Sequence, residues 1–260
     1  MAPVVLLAAL AAPPLPEGNA YVRGLVEKQR AREEALNLYT YDASEIVEEL
    51  DAKGRREGVE VTRYEVFHVK GVPIRKKVGM DGKPLPSDEK AREEERVAKK
   101  VESVLQGRTT LERAEVKLSQ VLERYDFKAV AREQEDERPT LVFDFAPQPG
   151  ERKLEGDRFL RVLAGRIWVD EEESQLVRAE IRSTEGVRFA WGLGPALDTL
   201  SLDLEFERAG EGVWLPSRLK AMAAGRTLPL KDFRTRVTVI YSRYRRFGTE
   251  TEERTERPTP

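Results

Sequence analysis

The side chains that most often do chemistry are scarce or scattered in this sequence. It contains no cysteine, which removes thiol nucleophiles, disulfides, thiolate metal sites and lipid attachment at an N-terminal cysteine. Its single histidine, His68, lies in the alternating run from Tyr64 to Val69, with no second histidine to complete a metal cluster or a catalytic pair. That spacing puts it on a strand surface. Aspartate and glutamate total 47, but in a chain that is 35 % charged their abundance singles out no general acid or base. No G-x-S-x-G, P-loop or G-x-G-x-x-G pattern occurs, so the sequence supports neither an enzyme nor a bound cofactor or metal. Arg243, Arg245 and Arg246 interleave with Tyr241, Tyr244 and Phe247, a set that can meet lipid phosphates or nucleic acid. The net charge of −2 lacks the basic excess of a nucleic-acid binder, and a solvated final strand is the plainer reading.

What the sequence offers instead is apolar surface with a period of two. From Phe159 to Arg182 it reads as two antiparallel strands joined by an acidic turn, Asp170 to Gln175. Leu163, Gly165, Ile167 and Val169 share one face of the first strand, and Val177, Ala179 and Ile181 one face of the second. Their alternating partners are mostly charged. Leu141, Phe143 and Phe145 repeat the pattern, as do Leu200, Leu202, Leu204 and Phe206, and less cleanly Val237, Val239 and Tyr241. The pattern predicts one extended antiparallel sheet, whose long apolar face must be covered by helices, by a second sheet or by something that is not protein. Trp168 shares parity with Arg166 and Asp170 and belongs on the other face, packed across strands.

The elements around this sheet follow in order. Val4 to Ala12 is apolar but too short to span a bilayer, and Ala9-Leu10-Ala11 before a run of prolines looks like the second half of a secretory signal without its basic region. A signal remnant and a plain apolar tail, residues 1–16, both fit. A helix is expected from Ala20 to about Leu38, capped by Asn19, with Val22, Leu25, Val26 and Ala35 or Leu36 as its stripe. Strands follow at Tyr39 to Leu50, Val59 to Val69 and Val72 to Val78, with a tight turn at Lys70-Gly71. A charged helical insert, 87–125, starts with Ser87 as its cap and continues after Gly107 from a Thr109/Glu112 capping box. Everything after it reads as strands up to Phe247, with no strand-helix-strand alternation, and 248–260 as a charged tail. The length suits one domain, 17–247.

The segment L-A-G-R-I-W-V-D at 163–170 with L-V-R at 176–178, together with LVFDFAPQPG, VWLPSRLK and the final IYSRYRRF in this order of elements, resembles the superfamily of the lipoprotein carrier LolA, its receptor LolB and the regulator RseB. The resemblance covers about Ala20 to Phe247. It implies an α+β fold: an unclosed β-barrel, that is a strongly curved antiparallel sheet with covering helices on its concave face. It also implies an apolar cavity for acyl chains, with Ile167, Val169, Val177, Leu202, Leu204, Phe206, Val237 and Val239 pointing inward. The partner would be a lipid or an acylated lipoprotein, the location the periplasm, and a cell-envelope protein is the alternative partner. The same residues would serve equally as a closed core, and parity does not separate the two.

Overall fold

The computed structural model describes residues 13–108, 118–135, 137–148, 160–188, 196–209, 213–227 and 231–247. Expectations placed on Thr109 and Glu112, the first twelve residues and the charged C-terminal tail lie outside them.

The chain opens with α1 (Gly18–Leu36), held at its start by the Glu17 carboxylate, which accepts from the backbone N–H groups of Asn19 and Ala20. Asn19, the expected cap, does something else: its Oδ1 accepts the Phe127 N–H at 2.7 Å and fixes the helix to the sheet. A first meander follows, β1 (Tyr39–Leu50), β2 (Arg56–Val69), β3 (Val72–Met80) and the short β4 (Lys83–Pro84). Lys70 and Gly71, at φ 48° and 77°, make the two-residue left-handed turn that matches strand twist between β2 and β3.

Next come α2 (Ser87–Leu105) and α3 (Leu118–Leu122), then a second meander: β5 (Tyr125–Glu135), β6 (Arg138–Pro147), β7 (Leu163–Asp170), β8 (Gln175–Ser183), β9 (Val187–Arg188), β10 (Ala196–Ala209), β11 (Val213–Thr227) and β12 (Lys231–Arg246). Pro86 precedes the first turn of α2 and no side chain caps it. Asp88 and Glu89 in that turn still favour the helix dipole.

Among the described residues all the strands form one sheet of 12, ordered β4-β3-β2-β1-β12-β11-β10-β8-β7-β6-β5, with β9 beside β10. Every pairing is antiparallel. The first and last strands of the chain, β1 and β12, pair at the middle and join the two meanders. Strands β4 and β5 end the order, and no pairing links them among the described residues. The fold is therefore α+β, an antiparallel barrel left open. Register shifts in the β1–β12, β1–β2, β2–β3, β5–β6, β7–β8 and β10–β11 pairings are the bulges that bend so long a sheet.

Helices α1 and α3 contact each other, and α1 also lies on β5, β8 and β11, which defines the inner face. Helix α2 packs through Val97, Val101 and Val104 on Ile74, Phe67, Val69 and Val72 at the far side of the sheet. By register these residues alternate with Val66 and Tyr64, which sit with Tyr41 on the inner face. The insert therefore shields the β2–β3 end from the outside.

Candidate functional site

Two transverse rows of paired residues build the inner face. One runs Phe127, Phe145, Gly165, Ile181, Leu202, Ala221, Val237, Val47, and the next Ala129, Phe143, Ile167, Ala179, Leu204, Leu219, Val239, Glu45. Each is apolar for most of its length because successive strands present the same parity. Tyr21 of α1 stacks on Phe143 with ring centroids 5.3 Å apart, and Val22, Leu25 and Val26 complete the contact. Gly165 leaves the space over which the Phe145 ring lies; a Cβ there would stand 2.9 Å from Cζ of that ring.

The eight candidate residues divide between two environments. Ile167 (2 % exposed), Val169, Val177, Phe206 and Val239 are buried, the first four in the main core and Val239 in a second cluster with Tyr41, Ala43 and Val66. Leu202, Leu204 and Val237 are partly exposed, as are their neighbours Leu200, Leu219 and Ala221. They form a strip across β10, β11 and β12 that continues the core beyond α1.

Val177 sits at an irregularity of the sheet. The bulge after Trp168 puts Leu176, not Val177, opposite Val169, so Val177 lies at the kink. There it lines a cleft of about 240 Å3 with Phe206, Trp214, Ser217, Arg138 and Arg178, and the carboxylates Glu135, Glu205 and Glu207. At the other end of the core, under α3, the space between Leu122, Phe127, Phe145 and Ile181 is only about 10 Å3, room for no more than one water.

The residue that sequence reasoning missed is Arg32. It lies on the helical stripe at Val22, Leu25, Gln29 and Arg32, all buried, and it is 6 % exposed. Its guanidinium stacks on the Phe206 ring at 3.9 Å and its Nη1 donates to the Leu176 carbonyl at 3.1 Å. Its Nη2 has no hydrogen-bond partner. Burial lowers its pKa to about 10, so it remains charged at neutral pH. The neighbouring Glu33 carboxylate is held by the Ser119 N–H and hydroxyl of α3. The signal was available in the 3-4 spacing from Leu25, but an arginine on an apolar stripe is easily assigned to the solvated edge.

His68, the tryptophans Trp168 and Trp214, and the basic-aromatic cluster of β12 are accounted for structurally. His68 is partly buried with Nδ1 3.4 Å from the Tyr39 carbonyl oxygen, and burial lowers its pKa. Trp168, on the outer face as expected, donates to Glu133 at 2.9 Å beneath the Arg178 guanidinium. Trp214 donates to Glu173 at 2.6 Å, tying the start of β11 to the β7–β8 turn. Arg243 pairs with Asp42 of β1 and Arg245 with Glu65 of β2, and Tyr244 donates to the Pro216 carbonyl at 2.6 Å. Among the described residues no group of three or more His, Cys, Asp or Glu is placed to hold a metal, and no helix is long and apolar enough to cross a membrane.

No protein-family model matches the chain, and no curated protein matches it. Among solved structures it is similar to a domain described as an outer membrane lipoprotein-sorting protein from Vibrio parahaemolyticus (11 % identity, 90 % of this chain and 94 % of that one, TM-score 0.39). It is also similar to a LolA superfamily protein from Nitrosomonas europaea (11 % identity, 84 % and 92 %, TM-score 0.35). A third is the MucA/MucB complex of Pseudomonas aeruginosa (12 % identity, 83 % and 93 %, TM-score 0.24). The LolA superfamily to which the sequence was likened is thus among them. At these TM-scores the likeness carries no argument about function, which rests on the inner face itself.

Proposed function

We propose that this chain is a non-enzymatic carrier or sensor of the periplasm that binds the acyl chains of a lipid or an acylated lipoprotein on the inner face of its open barrel. The observation that supports the reading is the strip of Leu202, Leu204 and Val237, apolar side chains left partly exposed where the covering helix ends, with Phe206 and Val239 as its buried continuation. Such a strip holds a ligand by removing apolar area from water, at about 25 cal/mol per Å2, and requires no reacting group.

A second reading is supported by α1 itself, which fills much of the inner face with Tyr21, Val22, Leu25 and Val26. In it the groove is occupied by the chain's own side chains and the partner is another cell-envelope protein. Native mass spectrometry of protein purified without detergent separates the two. A stoichiometric phospholipid or acylated peptide is expected; a clean apo mass, unchanged after incubation with lipid, would replace the carrier with the interaction module.

A further inference from the structure

Arg32 is a feature of the inner face that an apolar groove does not require. A buried charge is ordinarily matched by a carboxylate or by hydrogen bonds to every donor, because leaving it unmatched carries a large desolvation penalty. Arg32 has a carbonyl, an aromatic ring, the charge of Glu33 nearby, whose carboxylate is held by Ser119, and an orphaned Nη2. A second orphaned polar atom, Ser217 Oγ, sits one residue beyond Pro216, the register partner of the same Phe206. Arg32 is therefore a cation with an unmatched donor directly over the Phe206 ring, and Ser217 Oγ is a second unmatched polar atom on the strand paired with β10.

From that ring the apolar strip runs along β10. Phe206, Leu204, Leu202 and Leu200 share parity, and the distance from the first to the last is roughly 20 Å at the rise of a strand. One leaflet of a bilayer core is roughly 15 Å deep, so the strip has the length scale of a membrane acyl chain.

We propose that Arg32 is the head-group subsite of this groove: the ligand is a single acyl chain ending in an anionic oxygen group, carboxylate or phosphate, which pairs with Arg32 while its tail lies over Leu204, Leu202 and Leu200. The inference rests on the acyl-binding reading and goes further by fixing the chemical class of the head and the direction of the tail. The guanidinium supplies a planar donor edge for the oxygens of the head.

The test compares binding of palmitate, hexadecyl phosphate and methyl palmitate to the full chain by equilibrium dialysis. One or both anionic ligands should bind about tenfold or more tighter than the ester, the scale of a charge-assisted hydrogen bond, and the tighter of the two identifies the head. Arg32→Met should bring the anionic ligands down to the level of the ester, and Arg32→Lys, which keeps the charge but loses the fork, should retain part of the preference. Equal binding of all three ligands by the wild-type chain, a comparison that needs no variant to fold, would overturn the Arg32 subsite and leave the acyl groove standing. A preference that survives in Arg32→Met would overturn it as well. Binding of none of the three would remove the groove reading and this inference with it.

Discussion

At the scale of single residues, the inner face is shaped as much by what is missing as by what is there. At Gly165 a Cβ would approach the Glu180 carbonyl oxygen to 1.9 Å and Cζ of Phe145 to 2.9 Å. The first contact is with backbone in a central strand, which cannot yield without moving β8. Gly165→Ala is therefore expected to destabilise the fold by about 2–3 kcal/mol, within the range of overpacked core substitutions, despite adding only a methyl group. Urea unfolding of the two proteins measures it, and a loss below about 0.5 kcal/mol would show that the sheet relaxes around the methyl. Sequence gave the parity of Gly165 but not this role, because a period-two pattern records which face a residue occupies and not how closely a ring from the next strand crosses it. Arg32 was hidden for a related reason: its neighbours in sequence are charged, and only the path of α1 across the sheet makes its position interior.

At the scale of elements, α2 has an edge to protect. The Lys77 N–H on the outer side of β3 donates to Glu93 of α2 at 2.6 Å, and Arg96 of the same helix donates to the Arg75 carbonyl at 2.5 Å. The two bonds occupy backbone groups that a free edge strand would offer to another chain. Arg96 and the Lys77 N–H also hold the Glu93 carboxyl below its usual range. Replacing Glu93 and Arg96 together by Ala should leave α2 seated through Val97 and Val104 while unblocking that edge. Amide exchange at Lys77 should accelerate, and the protein should self-associate with rising concentration in size-exclusion chromatography. Unchanged exchange would mean that the apolar seat alone seals the strand. Most elements were legible from sequence, since alternation over nine or more residues leaves little choice of structure. The bulges were not: a one-residue shift at Val177 or Ser217 keeps the composition of the strand intact and changes only its partners.

At the scale of the whole molecule, the decisive contact is the β1–β12 pairing, which joins the first and last described strands from Tyr39↔Arg246 to Glu49↔Thr235. The expectation of one domain over 17–247 turns on this seam. If the meanders fold as a unit, β1 cannot hold its place without β12, and stability on either side is shared. Trp168 and Trp214 report only on the second meander, whereas far-UV circular dichroism reports on both. For one cooperative unit the two signals trace the same urea transition, with a single midpoint and slope. A substitution inside the seam extends the argument. Val47→Pro removes a backbone donor from a strand paired on both sides and should lower both midpoints together, by about 3 kcal/mol or more. Were the dichroism to fall first while the tryptophan transition stayed in place, the chain would be two meanders that merely abut. In that case the inner face would be free to widen at the seam, beside Val237 and Val239, rather than at the end of α1.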